Sequence, residues 1–140
     1  MNELLNSMEV RVYIFEDEKD VRNPLAYYLK GSGFVVYDFD NPRQFSQKIS
    51  CRESKKYIDV VLTDIQMPQM DGMEFIEHLL NLGCSPQNIA VISGYLDRKT
   101  ETFLSKRGIK VYKKPHSLLE ISEWLNHLKK NGQNMEFSFQ

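Results

Sequence analysis

Five short, largely apolar runs divide the chain: Val10 to Phe15, Phe34 to Phe39, Ile58 to Thr63, Ile89 to Ile92 and Ile109 to Tyr112. Runs of this length, rich in Val and Ile and closed by polar residues, predict buried strands. Between them the apolar spacing becomes helical. Val21, Leu25 and Leu29 form one stripe, Phe75, Ile76, Leu79 and Leu80 a second, and Leu118, Ile121, Leu125 and Leu128 a third. A more polar helix is expected over Asp97 to Lys106, with Phe103 and Leu104 inward. Start and stop signals agree with this reading. Asn41-Pro42 places a cap before a first-turn proline, Asp71 precedes Glu74 by three, and Ser117-x-x-Glu120 is a capping box. Gly31 and Gly33 close the first helix, and Pro24 is expected in its first turn, where a missing N–H costs little. Alternating strands and helices predict an α/β fold, a doubly wound parallel sheet of five strands covered on both faces.

The residues at the strand ends carry the chemistry. Val60-Val61-Leu62-Thr63 runs into Asp64 and then Ile65-Gln66-Met67-Pro68-Gln69-Met70-Asp71-Gly72; the first strand ends in Glu16-Asp17-Glu18, the fourth in Ser93-Gly94, the fifth in Lys113-Lys114-Pro115. In open parallel sheets the carboxyl edge of the strands is where ligands bind. Several carboxylates converging there need a proton or cation to offset their repulsion. Magnesium suits the donors, being a hard ion that prefers oxygen and needs only one or two carboxylates. Each feature alone has a bland reading: a solvated acidic turn, a strand-end hydroxyl, a solvated lysine pair, an Asx turn at Asp64. Their joint placement favours a site.

The four endings, in that order, resemble the receiver domain of two-component response regulators, of the stand-alone type similar to the chemotaxis regulator. The most specific stretch is D-I-Q-M-P-Q-M-D-G from Asp64 to Gly72. The resemblance implies a (βα)5 flavodoxin-like fold with strand order 2-1-3-4-5. It implies that Asp64 accepts a phosphoryl group and that Asp17, Asp64 and the backbone carbonyl of Gln66 bind Mg2+, with Glu16 acting through water. It makes Lys114 the phosphoryl contact and Ser93 the switch hydroxyl. The donor would be a histidine kinase or histidine phosphotransfer protein, with an unidentified downstream protein contacted through residues 96–130. The protein would not be an enzyme in its own right, beyond self-phosphorylation from small donors and slow loss of phosphate.

Two departures concern output. Val111 stands where many receivers carry a Tyr or Phe switch ring, and Tyr112 beside it should face the other side of the sheet. Signal transfer is therefore expected to use the Ser93 to Asp97 loop and the helix after it. His116 replaces a frequent Phe after Lys-Pro, and Tyr95 and Gln66 occupy positions that influence phosphate loss in the family.

Composition narrows the reading further. The chain has 140 residues, enough for one core, and a net charge of -1 that gives no attraction to nucleic acid or anionic membrane. The sequence contains no membrane-spanning run or signal peptide, so a cytoplasmic location is expected. Cys51 and Cys84 lack metal-type spacing and are expected to be thiols. His78, His116 and His127 lack a ligand spacing, and Glu18 and Asp71 read as turn and cap residues. The expected organisation is an N-terminal extension at 1–9, the receiver at 10–130 and a disordered tail at 131–140, with no output domain. Such a protein would be a diffusible switch, or a phosphorelay intermediate or phosphate sink. An unphosphorylated scaffold is the alternative of another class. A haloacid-dehalogenase-type phosphohydrolase is disfavoured because Gln66 replaces its second Asp.

Overall fold

A computed structural model of the chain describes residues 8–45, 56–67 and 70–138. Five parallel strands, β1 (Glu9–Phe15), β2 (Val35–Phe39), β3 (Tyr57–Asp64), β4 (Ile89–Ser93) and β5 (Lys110–Lys113), form one sheet in the order β2-β1-β3-β4-β5. This is the doubly wound 2-1-3-4-5 arrangement expected. The described helices are α1 (Lys19–Gly31), α2 (Gly72–Asn81), α3 (Arg98–Lys106) and α4 (Leu118–Ser138).

The central strand β3 pairs with β1 on one side and β4 on the other, and helices cover its apolar run on both faces. On one face Val12, Ile14, Val60 and Leu62 meet Leu25 and Leu29 of α1 and Ile121, Leu125 and Leu128 of α4. On the other, Phe15, Val61 and Val91 meet Phe75, Ile76 and Leu79 of α2 and Leu104 of α3. The predicted helical stripes are thus the core-facing stripes.

Local signals mostly act as predicted. Asp71 caps α2 by accepting from Met73 N at 2.9 Å, Asp97 caps α3 through Thr100 N at 2.7 Å, and Ser117 Oγ accepts from Glu120 N at 3.3 Å. Gly33 adopts φ 94°, the left-handed conformation that releases the chain from α1 into β2.

Five expectations change. Pro24 lies in the second turn of α1, not the first. A proline inside a helix costs about 3 kcal/mol, but Leu25 and Leu29, both fully buried, contribute about 1.5–3 kcal/mol each. Packing therefore outweighs the break. Where a helix is expected after Asn41, the described residues form a short 3-10 turn, Pro42–Phe45, with Asn41 Oδ1 accepting from Arg43 N at 2.9 Å; the rest of the expected helix lies on residues 46–55, outside the described ones.

The expected extension at 1–9 gives up Met8, which is buried, and Glu9, which begins β1. Within the span expected as a disordered tail, residues 131–138 belong to α4, which runs through Ser138. There Gly132 packs against Ile58 near the amino-terminal end of β3, where a Cβ would come 2.7 Å from Ile58 Cδ1. Finally, buried Cys84 is disulfide-bonded rather than a thiol, and the one other cysteine, Cys51, lies outside the described residues. No described helix is long and apolar enough to cross a membrane.

Candidate functional site

The carboxyl ends of β1 and β3 lie side by side, with Phe15 in register with Thr63. The sequence therefore delivers Glu16, Asp17 and Asp64 to one place, and one oxygen from each carboxylate lies within 4.8 Å of the other two. Glu16 and Asp64 are buried and Asp17 half-buried. Gln66 N donates to Asp64 Oδ1 at 2.9 Å, fixing the orientation of that carboxylate, while the Gln66 side chain is exposed.

Lys114 arrives from the end of β5 and reaches back over the sheet edge. Its Nζ lies 2.9 Å from Asp64 Oδ2, 2.8 Å from Glu16 Oε1 and 3.1 Å from Glu18 Oε1. Lys113, the last residue of β5, is exposed instead. The peptide between Lys114 and Pro115 is cis. Lys114 N also donates to Ser93 O at 2.8 Å, tying the lysine to the hydroxyl-bearing end of β4.

Electrostatics of the cluster follow from burial. Glu16 is pushed up to about 7, first by burial and then by the neighbouring Asp64 charge, against the pull of Lys114 and the Glu18 N–H. Burial alone would lower Lys114, but its bonds to Glu16, Asp64 and Glu18 raise it above its ordinary value. Lys114 is therefore a fixed ammonium among acids, one of which shares a proton near neutrality.

These residues fit a hard divalent cation. All the candidate side-chain donors are oxygens, and Glu16 Oε1 is buried without a properly directed hydrogen bond, because the Lys114 approach satisfies charge but not angle. A buried acceptor with unused capacity beside two further carboxylates is the environment that a cation or its bound water completes.

Ser93 is buried at the end of β4, and its Oγ donates to Tyr95 O at 2.6 Å while accepting from Tyr95 N at 3.2 Å. Its hydroxyl is thus engaged by its own loop. Tyr112 packs on Trp124 of α4, with ring centroids 6.3 Å apart, while Val111 packs on the opposite face beside α3. The two residues point apart as the strand alternation predicted. A cavity of about 300 Å³ lies between β5 and the start of α4, lined by Tyr112, Lys113, His116 and Glu120 among others.

Two contributors escaped the sequence reading. Glu18, read as a turn residue, is a direct partner of Lys114. Arg22 donates through Nη1 to Glu16 O at 2.8 Å and lies 3.6 Å from Asp38 Oδ2, bracing the acidic loop against the end of β2. Glu18 had a visible signal, being the third acid of the run; Arg22, one turn into a helix, had none.

Comparison with known proteins agrees with this geometry. The profile of the response regulator receiver domain matches residues 12–126. The chain is 32% identical over 110 residues to a two-component response regulator, ORR41, of Oryza sativa subsp. japonica, covering 77% of this chain and 85% of that protein. It is 39% identical over 99 residues to a protein-glutamate methylesterase/protein-glutamine glutaminase of Dechloromonas aromatica (strain RCB), covering 69% of this chain and 27% of that one. The chain thus spans about a quarter of the methylesterase relative's length. Its fold is similar to the crystal structure of a CheY-like receiver domain protein from Methanospirillum hungatei JF-1, with a TM-score of 0.73 at 20% identity over 91% of this chain and 98% of the other. A parallel 2-1-3-4-5 sheet, an acid cluster at two adjacent strand ends, a lysine crossing from the fifth strand and a profile match over most of the chain lead to one conclusion: this chain belongs to the response regulator receiver domain family.

Proposed function

We propose that the chain is a phosphorylation-dependent signalling switch in which Asp64 accepts a phosphoryl group from a histidine kinase or histidine phosphotransfer protein. The observation that carries the reading is Lys114 Nζ at 2.9 Å from Asp64 Oδ2, within a cluster whose acids also include Glu16 and Asp17. In the transfer, the Asp64 carboxylate attacks phosphorus in line, the new bond forms to its oxygen, and the bond to the donor's imidazole nitrogen breaks, leaving a neutral histidine once that ring is protonated. Gln66 N holds Asp64 in orientation, and Lys114 balances charge on the phosphoryl oxygens.

Glu16, Asp17 and Asp64 would hold Mg2+, with the Gln66 carbonyl as a further oxygen ligand. When bound, Mg2+ supplies electrostatic neutralisation of the phosphoryl oxygens.

The response begins at Ser93. Its hydroxyl leaves Tyr95 O and donates to a phosphoryl oxygen, freeing a carbonyl that it bonds at 2.6 Å in the unmodified protein. The exposed Tyr95 loop and α3 then shift, altering the surface from residue 96 to 130 toward a protein target. Val111, too small to act as a rotating ring, leaves loop movement as the means of transfer.

The test is intact-protein mass after incubation with a small acyl-phosphate donor and Mg2+, comparing wild type, Asp64→Ala and a chelated sample. A single metal-dependent phosphoryl adduct absent from Asp64→Ala is expected. Unmodified wild type with both a small donor and a kinase would overturn the reading in favour of an unphosphorylated scaffold.

A further inference from the structure

Lys114 carries three N–H groups, and three carboxylate oxygens lie within 3.1 Å of its nitrogen. Asp64 and Glu18 hold two of those N–H groups and Glu16 crowds the nitrogen without a directed bond, so a phosphoryl oxygen gains full access to the lysine only if one of the three withdraws. Asp64 becomes the attachment point and stays, while Glu16, its side chain 1% exposed, has no water to turn to. Glu18 differs, with its side chain 62% exposed, and rotation about its side-chain bonds carries its carboxylate into solvent.

The position of Glu18 makes its contact informative. It is the N-cap residue of α1 and makes no capping bond, as expected of Glu, whose longer side chain is not among those that commonly cap, so its carboxylate is available for other partners. Its carboxylate instead crosses to Lys114, 96 residues away in sequence. The backbone is fixed independently, with Glu18 N donating to Glu16 Oε2 at 3.2 Å and Glu18 O accepting from Arg22 N at 2.9 Å. The side chain is therefore free to leave without unfolding the loop.

We propose that Glu18 competes with the incoming phosphoryl group for Lys114, occupying the lysine in the unmodified protein and slowing acceptance of anionic phosphoryl donors. The inference rests on Asp64 being the acceptor and adds a regulator of that same site. Two effects act together: the lysine must be released before it can contact phosphate, and one further negative charge faces the donor at the mouth of the pocket.

The test measures initial rates of adduct formation by intact mass at saturating Mg2+ with a small acyl-phosphate donor, for wild type, Glu18→Gln, Glu18→Ala and Asp64→Ala. Exposed ion pairs are weak, so release is expected to speed acceptance by about three- to tenfold in both Glu18 variants. That gain should shrink as ionic strength rises and the charge is screened. Calorimetric Mg2+ affinity should stay within about twofold of wild type, because a competitor for the lysine is not a metal ligand. Rates equal to or slower than wild type in both variants would overturn the inference while wild-type acceptance left the Asp64 reading standing. A Mg2+ affinity weakened about tenfold would also overturn it, placing Glu18 among the metal ligands. Absence of any adduct on wild type would remove the Asp64 reading itself, and the inference with it.

Discussion

Replacing Glu16 by Gln keeps the shape of a fully buried side chain and removes its charge. In the wild type that carboxyl is pushed from its ordinary 4.5 to about 7, burial being the largest cause. At 1.36 kcal/mol per pKa unit, the difference is worth about 3 kcal/mol. The sign follows from proton counting: between those two values the folded protein keeps a proton that the unfolded chain releases. Its contribution is therefore fully present below 4.5 and lost as pH rises through about 7. Metal-free wild type should lose about 2–3 kcal/mol between pH 5 and pH 8 from this group, and Glu16→Gln should not. For a domain of this size that difference is about 10 °C in melting temperature. Urea denaturation of both proteins at the two pH values, in chelator, gives the comparison. Parallel stability profiles would refute the reasoning, whatever the constant offset between them. Adding Mg2+ at pH 8 should narrow the gap, since a bound cation favours the carboxylate.

Other perturbations test the frame around the site. Gly72→Ala should destabilise by about 3 kcal/mol in urea, because a Cβ would fall 2.6 Å from Ile65 Cα and closer still to the Ile65 carbonyl; a loss under about 0.5 kcal/mol would contradict the close approach. Asp71→Ala should cost about 1 kcal/mol by removing the cap on Met73 N, and unchanged urea stability would count against it. His116 should titrate below the ordinary 6.5, held down by burial and then by the Lys114 ammonium, so its contribution to stability is present above 6.5 and lost as pH falls through the folded value. Ring-proton NMR assigned with a His116→Gln variant reads this directly, and a midpoint at or above 6.5 would be incompatible with a half-buried ring facing the Lys114 ammonium.

The fold was legible because burial on both faces leaves a plain trace in sequence. Val60, Val61 and Leu62 cannot alternate with polar residues when α2 and α4 cover both sides, and the helical stripes opposite them are equally regular. Asp64, Asp17 and Lys114 were legible because a parallel sheet turns strand ends into neighbours. What was not legible depended on contacts between distant residues or on rotamers. Pro24 was misplaced by half a turn or more because local propensity does not register the burial of Leu25 and Leu29. The helical course after Lys130 lays Gly132 against Ile58, a contact that composition near a terminus does not reveal. Glu18 gave no sign of whether it would cap α1 or pair with Lys114, since both choices use the same carboxylate at the same position.

The unequal strands also divide the molecule mechanically. Seven of the eight residues of β3 are buried and the strand is paired along both edges, whereas β5 has four residues at the sheet margin and α3 buries only Leu104. Amides at the Asp64 end are therefore released to solvent only by near-global opening, while those of α3 and β5 exchange through smaller excursions. The proposed acceptor Asp64 thus ends a strand buried along nearly its whole length, while the proposed output surface lies on elements anchored by few buried side chains.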